Sequence, residues 1–264
     1  MRFYRPLLSI TLSLVIISTP ILARQSATPF QSATFVQRSL STLAPFGLAS
    51  DVTLSGTVHR VLGSDDETGT AVLTALANGS NRVDLSFGSG KSSEVHSWSG
   101  AGPVGSWQGG DGVVHAIPMH NVLSEPTWFF PAFAISQRTS TDFVSVDLGQ
   151  ETISARQVEH VSISQKTSFS EAANAVPFQH LTQIDLYIDS QTLLPLALRY
   201  NLHPDSNAGQ DTPVEIAFSD YRNTPGGQIP YHSQKYLNGT LVIDFQAQSV
   251  TFNSGLSNSN FVLQ

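Results

Sequence analysis

The chain has no cysteine in its 264 residues. That excludes disulfides, thiolate nucleophiles, cysteine-bound zinc and iron–sulfur clusters together. It also excludes a lipid-anchored N-terminus of the bacterial kind, which needs a cysteine directly after its leader. Lysine is nearly as scarce, with Lys91, Lys166 and Lys235 the three present. Basic residues number 13 against 20 acidic ones, and none of them cluster. Nucleic-acid binding rests on neutralising phosphates with Lys and Arg, so that class is excluded, and docking on an anionic membrane is disfavoured for the same reason. Beyond the first 23 residues no apolar run approaches the roughly 20 residues that cross a bilayer, so the remainder is expected not to span one.

Several signatures of catalysis are missing too. There is no His-Glu-x-x-His and no Gly-x-Ser-x-Gly elbow. Phe87-Gly-Ser-Gly-Lys-Ser-Ser93 resembles the end of a phosphate-binding loop, but that motif needs glycine where Leu85 stands, and a hairpin turn explains the residues better. Eight histidines raise the question of a metal. His115 and His120 flank Pro118 and cannot share a helix face, while His59, His160, His180, His203 and His232 are scattered and expected to face solvent. Asp185 and Asp189 alternate with apolar residues and are expected to face water rather than to form a catalytic carboxylate pair. No catalytic residue, metal ligand or cofactor is assigned.

What the chain does contain begins at its N-terminus. Arg2 and Arg5 precede an apolar run from Leu7 to Ile17, followed by Pro20 and by Ile21-Leu22-Ala23. This is the three-part pattern of an export signal cleaved near Ala23. The run is short and interrupted by Ser9, Thr11 and Ser13, unlike a membrane anchor. Loss of Arg2 and Arg5 moves the net charge from −7 to −9. The expected address is the periplasm, or otherwise secretion. A domain of the remaining size buries roughly 70% of its unfolded surface and needs no disulfide staples.

Residues 24–34 are small and polar and read as a flexible leader. Phe35, Val36, Leu40, Leu43 and Ala44 fall at helical spacing, and Pro45 and Gly47 end that segment. Period-two alternation then predicts strands near 52–58, 70–77, 83–87 and 91–99. Gly-rich residues 100–112 read as a loop. A second short helix is expected over Pro126–Ile135, capped by Ser124, kinked or shortened by Pro131 and crowded with aromatics. Strands resume at 143–148, 153–165, 184–188, 196–202, 214–218, 229–237 and 241–252. Asn78-Gly79 and Asn238-Gly239 are tight-turn signals; both asparagines also begin Asn-x-Ser/Thr sequons, which the turns explain sufficiently. Strands spaced this regularly imply a large antiparallel sheet in a single domain, 35–264.

Within the C-terminal third, Ile184-Asp-Leu-Tyr-Ile-Asp189 leads through a turn to Leu194-Pro195. Phe218-Ser-Asp-Tyr-Arg222, Gly227-Gln-Ile-Pro230, Asn238-Gly239, Val250-Thr-Phe-Asn253 and Phe261 follow. In this order the segments resemble the periplasmic lipoprotein-carrier (LolA-like) family and its outer-membrane lipoprotein-sorting relatives, over residues 183–262. The resemblance implies a mainly β (α+β) fold: a strongly curved antiparallel sheet forming an incomplete barrel, with short helices on its concave face. It further implies a monomeric carrier, not an enzyme, that holds an acyl chain, a lipoprotein or another hydrophobic ligand. The candidates for a hydrophobic cavity are Trp98, Trp128, Phe129, Phe130, Phe133, Leu186, Ile188, Leu198, Tyr200, Ile216 and Phe218. The same aromatics equally suit a packed core, which leaves a protein-interaction module of the cell envelope as an alternative and a secreted hydrolase as a more distant one.

Overall fold

A computed structural model describes residues 29–99, 102–166 and 178–263. The export signal expected over 1–23 lies outside them. The first helix is α1 (Pro29–Leu43). Six strands follow: β1 (Asp51–Leu62), β2 (Asp65–Leu76), β3 (Asn81–Phe87), β4 (Gly90–Ser99), β5 (Gly102–Gln108) and β6 (Val114–Ile117). Two short helices, α2 (Met119–Ser124) and α3 (Pro131–Ser136), lead to β7 (Phe143–Ile153) and β8 (Arg156–Gln165). After α4 (Phe178–Leu181) come β9 (Ile184–Asp189), β10 (Pro195–Leu202), β11 (Thr212–Thr224), β12 (Gly227–Leu237) and β13 (Thr240–Phe252). No helix among the described residues is long and apolar enough to cross a membrane.

The thirteen strands form one sheet in the order β6-β5-β4-β3-β2-β1-β13-β12-β11-β10-β9-β8-β7, antiparallel throughout. Two hairpin-connected meanders meet where the last strand pairs with the first, from Val52 opposite Phe252 to Arg60 opposite Ile243. Strands β6 and β7 follow one another in sequence but lie at opposite edges. The connection over 118–142 must therefore traverse the sheet, and it carries α2 and α3 with it.

The sheet is strongly curved. His96 on β4 stands five strand steps from Lys235 on β12 and seven from Tyr200 on β10. At about 4.8 Å per step a flat sheet would separate them by roughly 24 and 34 Å. All three nevertheless converge on Glu125, at 4.0 Å from His96 and within hydrogen-bond reach of the other two. The result is an open barrel, wrapped around a core that includes Val52, Leu54, Val58, Leu73, Leu186, Leu198, Ile216 and Phe245.

Several local expectations change. Helix α1 begins at Pro29, so 29–34 are helical rather than leader. The Gly-rich loop contains a strand, β5. Ser124 ends α2 instead of capping the next helix, and its hydroxyl donates to the His120 carbonyl. Pro131 opens α3 at its first turn, where its missing N–H costs nothing. Glu125 and Phe130 both precede proline and are both non-helical, as the proline ring demands. Trp128, Phe129 and Phe130 consequently lie outside any helix. Ile153 belongs to β7, because Ser154 and Ala155 turn the chain with positive φ.

The β1–β13 junction is tied by Asp51, which is fully buried. Its carboxylate accepts hydrogen bonds from the Ser254 and Gly255 amides and from the Ser254 and Ser50 hydroxyls. Burial pushes the Asp51 pKa up, but those donors outweigh it and hold the group below its ordinary value. Its stabilisation is then complete above the unfolded carboxylate range and is lost as pH falls through the depressed value. Asp51→Ala is expected to cost roughly 3 kcal/mol at neutral pH. The cost should shrink on acidification to pH 3, as read by urea unfolding at the two pH values.

Candidate ligand groove

Directly paired residues of antiparallel strands point to the same face, so the pairings trace rows across the barrel interior. One row runs Leu54–Leu73–Val83–Glu94–Trp107–His115. Its neighbour runs Val52–Ala75–Asn81–His96–Gly105–Ile117. Both begin in the buried core; the first becomes more polar towards β6, while the second is polar at Asn81 and His96 and returns to apolar Ile117. Gly105 explains how α2 sits against β5, since a Cβ there would come within 2.7 Å of the Val122 side chain.

The C-terminal half of the interior is filled. Trp128, Phe129, Phe130 and Phe133 are buried and pack edge-on in pairs, with ring centroids 5.5 Å apart for Trp128–Phe129 and 4.6 Å for Phe130–Phe133. Leu186, Ile188, Leu198, Ile216 and Phe218 close around them in the same core. Tyr200 is buried there too, its hydroxyl donating to Glu125 at 2.9 Å. Trp98 differs: it is partly exposed and lines a cavity of about 310 Å³ with Leu123, Glu125, Arg138 and Phe143.

A charged network marks the edge of the filled half. Lys235 binds Glu125 at 2.5 Å, and its ammonium lies 5.3 Å from the Trp128 ring centre. His96 is 1% exposed and bonds Glu94 at 3.1 Å, with Glu125 at 4.0 Å. Burial opposes the charges of His96, Lys235 and Glu94, and pairing reverses it. Burial lowers the His96 pKa, but the hydrogen bond and charge of Glu94 and the charge of Glu125 raise it above its ordinary value. Burial likewise lowers that of Lys235, which Glu125 and Glu94 raise. Burial raises the Glu94 carboxyl, yet His96 and Lys235 hold it below the usual range. Tyr200 is pushed well up, by burial first and then by Glu125. Sequence reasoning missed this network because its members come from β4, the crossing segment, β10 and β12.

Beyond Glu94 the interior is open. A groove of about 390 Å³ is walled by Leu62, Val83, Leu85 and Trp107, with Arg60 and Glu94 among its lining residues. Trp107 is 44% exposed and is stacked on His115 at 4.3 Å. Arg60 lies over the Phe87 ring and reaches Glu67. Lys91 stands at the groove's rim.

Two expectations about polar residues are corrected. His203 was expected in solvent but is buried, as is His96, which the sequence did not single out. Burial, followed by the neighbouring charges of His180 and His120, lowers the His203 pKa against the pull of Gln210 and Asp211. Asp189 was expected to face water, but it is 2% exposed. It accepts from the Gln191 and Thr192 amides and the Thr192 hydroxyl, and pairs with Arg156 at 2.9 Å. It organises the turn into Leu194-Pro195 and does not pair with Asp185.

No protein-family model matches the chain, and no curated protein matches it. Solved structures do. An outer-membrane lipoprotein-sorting protein domain from Vibrio parahaemolyticus superposes with a TM-score of 0.57 at 12% identity, over 89% of this chain and 97% of that one. A DUF1329 family protein from Desulfovibrio piger gives 0.57 at 11%, over 89% and 98%. The LolA superfamily protein NE2245 from Nitrosomonas europaea gives 0.50 at 9%, over 88% and 97%. At these identities the likeness establishes the fold: the incomplete barrel that the C-terminal turns resembled, extended over nearly the whole chain.

The raised His96 pKa fixes a pH dependence. Its stabilisation is complete below the unfolded histidine value of about 6.5 and is lost as pH rises through the higher folded value. Glu94, being lowered, loses its share only as pH falls below the ordinary carboxylate range. The stability difference between the native chain and His96→Gln should therefore peak between about pH 5 and 6.5 and decline towards pH 9, in chemical denaturation across that range. A difference that grows with pH contradicts this assignment.

Proposed function

We propose that the protein is a cell-envelope carrier or binding protein, holding an acyl chain with an anionic head in the groove of its N-terminal half. The observation that carries this reading is the groove itself: about 390 Å³, lined by Leu62, Val83, Leu85 and Trp107. Ligand sites commonly occupy about 300–1,000 Å³, with apolar walls and a few placed polar groups. Leu62, Val83, Leu85 and Trp107 supply the walls, while Arg60 and Lys91 supply the positive end. The fold's likeness to a lipoprotein-sorting domain supports a carrier rather than an enzyme, and the N-terminal export pattern supports the envelope as its address. The aromatic cluster of the crossing segment serves as packing in this reading, and binding belongs to β2–β5. The carrier acts as a single domain and a monomer.

A second reading is favoured by the exposed Val104, Val113 and Val114 beside the short edge strand β6. There the sheet edge would take a strand of a partner protein, with the groove left empty.

A fluorescent sixteen-carbon fatty acid separates the two. The native protein is expected to bind it and to release it to unlabelled palmitate. Trp107→Ala, at a half-exposed position where folding is preserved, should weaken binding by about tenfold, since a lost aromatic wall is worth 1–2 kcal/mol. Lys91→Glu should weaken it further for the acid than for the corresponding alcohol. Absence of saturable binding to the native chain, or an unchanged affinity in Trp107→Ala, overturns the groove assignment and leaves the edge-strand reading.

A further inference from the structure

Residues 120, 180 and the pair 203 and 211 come from three separate stretches of the sequence and meet at one end of the sheet. α2 supplies His120, α4 supplies His180, the exit from β10 supplies His203, and the approach to β11 supplies Asp211. The His180 Nε2 lies 2.8 Å from Asp211 Oδ1, and the His203 Nδ1 lies 3.5 Å from the same oxygen. The rings of His120 and His180 each stand with their centres 5.8 Å from that of His203.

We infer that His180, His203 and Asp211, with His120 beside them, form a binding site for a divalent transition-metal ion of the zinc class. One donor atom from each of the first three lies within 4.8 Å of the others. Gln210 holds the His203 Nδ1, so the nitrogen left for an ion is Nε2; the 2.8 Å between His180 Nε2 and Asp211 Oδ1 need open only slightly to reach the roughly 3.3 Å that a tetrahedral ion with bonds of about 2.0–2.1 Å imposes on its ligands. Imidazole and carboxylate are the donors such ions prefer in the absence of thiolate.

A second observation is independent of those distances. The Nε2 atoms of His203 and His120 are both buried and both lack a hydrogen-bond partner. Buried polar atoms are rarely left so, and two in adjacent rings point to something they jointly serve. The supporting contacts have the form that metal sites use to orient their ligands. The Asn121 side chain grips the His203 backbone twice, donating to its carbonyl and accepting from its amide, both at 2.8 Å. The Gln210 carbonyl accepts from His203 Nδ1 at 3.2 Å. Asn201 donates to Asp211 Oδ2 at 3.0 Å, leaving Oδ1 towards the histidines.

Among the described residues the other group of comparable composition, Glu94, His96 and Glu125, already holds a cation in Lys235, so it does not compete. His180 and Asp211 are both partly exposed, which gives an ion a way in. Because His120 and Asn121 sit on α2, an ion here would tie α2 to the end of β10. The site does not rest on the carrier reading, since it shares no residue with the groove.

The test uses the exported chain without a histidine tag, stripped with chelator and titrated with zinc chloride. Calorimetry and metal analysis are expected to give one ion per chain, with a rise in thermal midpoint on binding. His180→Gln and Asp211→Asn, both at accessible positions, should each weaken binding at least tenfold while keeping the metal-free melting curve. His96→Gln should bind as the native chain does. No saturable zinc binding by the native chain overturns the proposal and leaves a buried water as the partner of the two orphaned nitrogens. So does equal affinity in the His180→Gln/Asp211→Asn double variant.

Discussion

The structure depends on one topological constraint. Two meanders join through the β1–β13 pairing, which sends β6 and β7 to opposite edges although they are neighbours in the chain. The segment between them has no route except across the barrel. Its sequence answers that constraint with Trp128, Phe129, Phe130 and Phe133, which are buried in the core that the inward residues of the sheet share. Because the segment is short, it fills one half of the interior and leaves the other open.

Where the filling stops, charge begins. A buried ion pair contributes stability only when its members are well matched, and it is costly when one is removed. Lys235 is one of three lysines in the chain, and it is spent on Glu125, in the crossing segment, rather than on the surface. This pins the segment to β12, while Tyr200 and His96 extend the same network to β10 and β4. The boundary between core and groove is thus an electrostatic one, set by three side chains around a single carboxylate.

The sheet was largely legible because alternation is a local property. Val52-Leu54-Val58 or Ile184-Leu186-Ile188 declares its buried face without help from elsewhere. The Asn238-Gly239 turn was equally plain, and both residues adopt positive φ. The failures share a cause as well. In β5, Gly105 stands where an apolar inward residue would reveal a strand, because Val122 of α2 takes that space. Pro131 looked like a helix breaker, and only the path of the chain makes it a helix start. Asp189 alternates as a surface residue would, yet the turn two and three residues on wraps its carboxylate. The candidate cavity residues were chosen for aromatic and aliphatic character, which marks a core as well as a cavity. The groove is lined partly by glycine, serine and lysine, and such residues announce nothing until a sheet curves around them.

The central pairing of this sheet has a temporal side. Val52 lies opposite Phe252, 200 residues later, and Asp51 takes its hydrogen bonds from Ser254 and Gly255. A chain emerging from its N-terminus can build β1 to β6 by short-range hairpins, but it cannot join the two halves until β13 is free. Until then the crossing segment's four aromatics have no complete partner surface, and contacts this distant are the slow ones to form. The molecule is thus committed to a long interval between beginning to fold and finishing. During that interval this aromatic-rich stretch is in need of shelter.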